Sequence, residues 1–72
     1  MSTVAAIGER DRVCGLALAG VAVHAAEGPE AAREAWQGLS PEVALVVLTP
    51  RAAEALGARI DTQTPLTVVL PV

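Results

Sequence analysis

The chain is 72 residues long, 53% hydrophobic, with five basic side chains, all arginine, against eight acidic ones, and a net charge of −3. That length limits it to one domain burying only about 60% of its unfolded surface, and the acidic balance excludes phosphate-backbone binding as the main role. A single cysteine, Cys14, excludes an internal disulfide, and with Trp36 as the only aromatic residue the core must be aliphatic.

In chain order, Thr3 to Ile7 reads as a first strand, continuously apolar as a strand covered on both faces would be. Gly8 turns the chain, and a helix follows from about Arg10 to Ala19. Val13, Leu16, Ala17 and Gly20 form its core stripe, while Cys14 and Leu18 form a second apolar stripe with no evident place in the core. The uncharged run Val13 to Ala26 superficially mimics a secretory signal. Glu9 and Asp11 offset Arg10 and Arg12, glycines interrupt the run, and it is shorter than the ~20 residues a membrane helix needs, so a soluble cytoplasmic protein is expected.

Val21 to Ala25 is the second strand. Gly28-Pro29 starts the second helix, because proline at the first helical position has no amide to leave unpaired. This helix runs to about Gln37, with Ala32, Ala35, Trp36 and Leu39 on the core face, Glu30, Arg33, Glu34 and Gln37 on the other, and Gly38 as a left-handed stop. Val43 to Leu48, six consecutive aliphatic residues, is a central strand. Thr49-Pro50 repeats the helix-start chemistry, and the third helix extends to about Ala58, burying Ala52, Leu56 and Ile60, with Gly57 marking its end. After a polar connection, Leu66 to Leu70 is the last strand. The string βαβαβαβ, with right-handed crossovers, predicts an α/β, receiver-like or Rossmann-like domain over 1–72 with a four-stranded parallel sheet in the order 2-1-3-4.

In that order the turn Gly8-Glu9-Arg10-Asp11 faces Thr49-Pro50-Arg51 across the switch-point crevice. A phosphorylatable receiver needs a carboxylate at the end of its third strand, where Thr49 stands, which argues against phosphotransfer. Gly8, Gly15 and Gly20 lack the spacing of a dinucleotide or phosphate-binding loop. Helix starts near Arg10 and Arg51 can attract an anion, although a solvated charged turn is the simpler reading. His24 has no partner for a metal site and reads as a solvent-facing residue of an edge strand; Cys14 reads as a packing residue and not a nucleophile. No cofactor or metal is expected.

The strand ending in Ile-Gly-Glu-Arg-Asp at residues 7–11, then Gly-Leu-Ala-Leu-Ala-Gly-Val at 15–21, resembles the start of the F subunit of the V-type and A-type rotary ATPases. Pro41 to Thr49 with Ala53-Glu54 is similar to that family's third strand and helix, and Leu66 to Pro71 to its fourth strand. The family usually has Asp where Glu9 stands and an aromatic where Leu16 stands, and it continues past the fourth strand into a C-terminal helical segment; with the sequence ending at Val72, the expectation is either a shortened relative without that segment or a fragment of a longer one. The resemblance implies a non-catalytic central-stalk subunit of a proton- or sodium-translocating ATPase. Such a subunit docks on the coiled-coil D subunit of the rotor, lies peripheral to the membrane through the complex, and helps couple ATP turnover to ion transport. The partner-binding residues expected on this reading are Glu9, Arg10, Asp11, Cys14, Leu18 and Arg51. The alternatives are a free-standing receiver-like regulatory or small-ligand domain using Glu9, Thr49 and Arg51, and a small enzyme recruiting Asp11, His24 and Thr49.

Overall fold

The computed structural model describes residues 3–15, 20–57, 60 and 65–71. Four strands, β1 (Thr3–Gly8), β2 (Ala22–Ala25), β3 (Val43–Leu48) and β4 (Leu66–Val69), form one parallel sheet in the order β2-β1-β3-β4. The expected topology is therefore the observed one. Three helices connect the strands: α1 (Arg10–Val13), α2 (Pro29–Gln37) and α3 (Pro50–Leu56).

Register follows the aliphatic runs. Ile7 lies opposite Leu48 and His24, and Leu48 opposite Val69, so the strands end together at one edge of the sheet. Pairing continues one step beyond them: the Thr49 N–H donates to the Ile7 carbonyl at 3.2 Å and the Ala26 N–H to the Gly8 carbonyl at 2.8 Å. This brings the residues after β1, β2 and β3 side by side.

The main core lies on one face of the sheet. Ile7, Val46 and Leu48 point from the strands into Ala26, Ala32, Ala52 and Leu56, with Ala35, Trp36, Leu39 and Ile60 packed around them. Trp36 is thus a core residue, as its helical position suggests, and α2 and α3 pack on each other over this face. Side chains alternate along a strand, so Ala6 belongs to the opposite face, where α1 packs on β1 and β2. Val13 of that helix is fully buried.

Several local expectations need correction. Gly20 is exposed, with φ +84, and belongs to the turn before β2 instead of a core stripe; its backbone conformation is one that a side chain would strain. The other members of the two expected stripes, Leu16, Ala17 and Leu18, lie outside the described residues, as does the rest of the expected helix to Ala19, while Cys14 and Gly15 continue α1 as a short 3-10 turn. Cys14 is exposed, so it does not pack in the core. Gly38 closes α2 at φ −87, ψ 3 and not in the left-handed region: its N–H returns to the Glu34 and Trp36 carbonyls, and the Leu39 N–H also meets the Trp36 carbonyl. This tight turn folds Leu39 back onto the core without a positive φ. Gly57 does end α3 with a positive φ, +53, as its position near the helix end suggests. His24 is half-buried on the α2 and α3 face of β2, since it pairs in register with Ile7, and is not fully solvent-facing.

Candidate functional site: the carboxyl edge of the sheet

Thr49 organises this edge. It follows β3 and caps α3: its Oγ1 accepts the Ala52 N–H at 3.3 Å, and Pro50 occupies the first turn, where no amide is needed. The same hydroxyl donates to the Glu9 Oε1 at 2.6 Å. A threonine standing where a receiver would carry a carboxylate is fully buried and committed to two hydrogen bonds.

Gly8 makes that contact possible. A Cβ at this position would sit 2.2 Å from Thr49 Cγ2 and 2.7 Å from Oγ1. The glycine is therefore a close-approach residue and not the turn residue expected from the sequence, and its φ is not positive. Removing the Cβ lets the β1 backbone lie directly against the Thr49 side chain.

The Thr49 hydroxyl holds the Glu9 carboxyl below its ordinary value of 4.5. Its own backbone N–H and the Arg51 and Arg12 guanidiniums act in the same direction, and burial opposes them. A hydrogen bond to the charged form favours that form. Glu9 is thus an anchored carboxylate at ordinary pH.

On the other side of the turn the Arg10 N–H donates to Glu27 Oε2 at 2.8 Å, tying the start of α1 to the end of β2. Arg12 reaches further and donates through Nη2 to the Pro71 carbonyl at 2.9 Å. Cys14 Sγ lies 4.0 Å from the Asp11 carbonyl, at the limit of a weak sulfur hydrogen bond. Leu18, the remaining expected partner residue, lies outside the described residues.

The hollow at this edge, about 390 Å³, is lined by Glu9, Glu27, Arg51 and Glu54 above small side chains that include Ala32 and Ala52. It lies between the start of α2 and α3, displaced from the crevice expected between the turn at Gly8 to Asp11 and Thr49. Glu9 and Arg51 reach it, while Arg10, Asp11 and Thr49 do not line it. Glu27 and Glu54 were not foreseen. The Glu27-Gly28 turn follows β2 as Gly8-Glu9 follows β1, and in a parallel sheet such turns converge on one edge, so a signal for Glu27 existed.

No chemistry assembles from these groups. Asp11, His24 and Thr49 do not form a nucleophile and base pair, since the Thr49 hydroxyl donates its hydrogen bond to Glu9. Among the described residues no group of three His, Cys, Asp or Glu side chains is placed to hold a metal ion. None of the described helices is long and apolar enough to cross a membrane.

No curated protein is significantly similar to this chain. The family model of the ATP synthase (F/14-kDa) subunit matches residues 4–72, from the second residue of β1 through β4, with the whole carboxyl edge of the sheet. The chain belongs to that family, the F/14-kDa subunits of the V/A-type ATP synthases, whose members are non-catalytic stalk subunits and not enzymes by themselves.

Proposed function

We propose that this chain works in the central rotor stalk, docked on the coiled-coil rotor subunit, and helps couple ATP turnover on the headpiece to proton or sodium movement through the membrane. It acts on the cytoplasmic side, peripheral to the membrane through the other subunits. The family match over residues 4–72 carries this reading. The state of the switch-point edge supports it: Thr49 and Glu9 are locked to each other, which suits a rigid element better than a reacting centre. Its mechanism is mechanical, with a stiff sheet presenting a fixed surface to a partner helix pair.

The partner-facing residues on this reading are the charged turn Glu9, Arg10 and Asp11, with Cys14 and Leu18 beyond it and Arg51 across the edge. Cys14 and Asp11 are exposed, and charges at such a rim orient a partner more than they hold it. The test is co-expression with the coiled-coil subunit of the same ATPase. The wild-type chain should co-purify with it in equal amounts, and Leu18→Asp should lose that association while keeping its circular dichroism spectrum. A wild-type chain that does not bind would refute the docking role.

One observation favours a second reading, a small-ligand domain: the hollow carrying Glu9 and Arg51. Its rim holds three glutamates to one arginine, which disfavours anionic ligands. Calorimetry with nucleotide separates the two readings.

A further inference from the structure

A stretch of four residues reaches the exits of the other three strands. Glu9 accepts the Thr49 hydroxyl just past β3, the Arg10 N–H donates to Glu27 just past β2, and Arg12 Nη2 donates to the Pro71 carbonyl just past β4. The backbone ladder also runs one step beyond the strands at each interface. Besides the Ala26 and Thr49 amides, the Leu70 N–H donates to the Leu48 carbonyl at 2.8 Å. Each exit is thus held twice, once by backbone pairing and once by residues 9–12.

The three ties depend on one another. Glu9 stands at the capping position of α1 but makes no capping bond, because its carboxylate turns to Thr49. The first amide of α1 would then be an orphan donor, and Glu27 supplies its acceptor. In the order β2-β1-β3-β4, the exit of β4 lies two strands from that of β1, about 10 Å at ordinary spacing, a gap suited to a long arginine. The helix carrying that arginine has only four residues, too few to hold its own conformation, so the buried Val13 and these ties set its position. Loss of one tie lets α1 shift, and the shift misaligns the other two.

We infer that residues 9–12 form a bracket that makes the carboxyl edge one cooperative unit: the exits of β2, β3 and β4 open together while the middle of the sheet stays paired. Local opening in such contiguous units is how native chains ordinarily fluctuate. The bracket also connects two distant places. Glu9 and Glu27 line the hollow, whereas Arg12 holds the exit of the far edge strand, so a disturbance in the hollow reaches β4 through α1. This coupling belongs to the chain itself and does not rest on the docking role.

Native-state hydrogen exchange on the full chain, followed by NMR, tests the bracket. The reporters are the Ala26, Thr49 and Leu70 amides, one for each exit, with amides in the middle of β3 as the reference. Arg12→Ala and Glu27→Ala alter exposed side chains and should keep the wild-type circular dichroism spectrum. Arg12→Ala removes only the tie to β4, yet it should speed exchange at Ala26, across the sheet, as much as at Leu70, by roughly fivefold for one lost hydrogen bond. Glu27→Ala should in turn speed Leu70 as much as Ala26, with Thr49 following in both variants and the reference amides unchanged. Acceleration confined to the exit nearest each substitution, or none at any exit, would show that the ties act independently and overturn the bracket. Equal acceleration of the reference amides would mean that the edge opens only with the whole sheet, which also overturns it.

Discussion

The Thr49 hydroxyl donates a 2.6 Å hydrogen bond to the Glu9 carboxylate while accepting the Ala52 amide, so one buried side chain joins the end of β1 to the start of α3. Forty residues separate the two partners in sequence. The bond converts the switch-point edge from a potential reaction site into a fixed corner.

Thr49→Val keeps the shape and removes both hydrogen bonds. The lost cap costs ~1 kcal/mol, and leaving the Ala52 amide without its partner adds to it. Urea unfolding should place the variant about 1–2 kcal/mol below wild type with an unchanged slope. An unchanged midpoint would mean that the hydroxyl does not hold this corner.

Gly8→Ala meets Thr49 Cγ2 at 2.2 Å, and buried backbone on both sides leaves little room to yield. Overpacking of this kind costs about 1–3 kcal/mol, a large part of the stability of so small a domain. Combining it with Thr49→Ser removes the worst overlap, leaving the Oγ1 and Cβ contacts at 2.7 and 2.9 Å, so partial recovery is expected. Thermal melting of the single and double variants gives the comparison, and a double variant less stable than Gly8→Ala would contradict the contact.

Because the Thr49 hydrogen bond lowers the Glu9 pKa in the folded chain, Glu9 binds its proton more readily when unfolded. Its stabilisation is therefore complete above the ordinary value of 4.5 and is lost as pH falls through the lower, folded value. The carboxylate is partly solvated, which keeps the effect small. Glu9→Gln should flatten the stability profile below pH 4.5 and leave its shape at pH 6 to 8 unchanged. A variant that loses stability as steeply in acid as wild type would assign that loss to other carboxylates.

Calorimetry with magnesium and ATP should give no heat above dilution for the isolated chain. The chain has no lysine, its glycines lack phosphate-loop spacing, and the hollow at the sheet edge has a mainly acidic rim. Micromolar affinity would favour the ligand-domain reading over the stalk.

Much of the fold was legible because its signals are local. Six aliphatic residues from Val43 to Leu48 make a strand in almost any context, and Pro29 and Pro50 mark helix starts because proline there sacrifices no hydrogen bond. Alternating elements then restrict the topology, since right-handed crossovers leave few parallel arrangements. The candidate edge was legible only as a neighbourhood: the sequence places Glu9 and Thr49 near each other but contains nothing that pairs them. Tertiary structure decided that Gly8 serves close approach, that Gly38 ends its helix without a left-handed turn, and that Glu27 and Glu54 share the hollow. It alone decided which aliphatic side chains are covered. Val46 and Val68 are the same residue type, yet one is fully buried in central β3 and the other half exposed on edge strand β4, because burial depends on a strand's place in the sheet and on what packs around it and not on the strand's own composition.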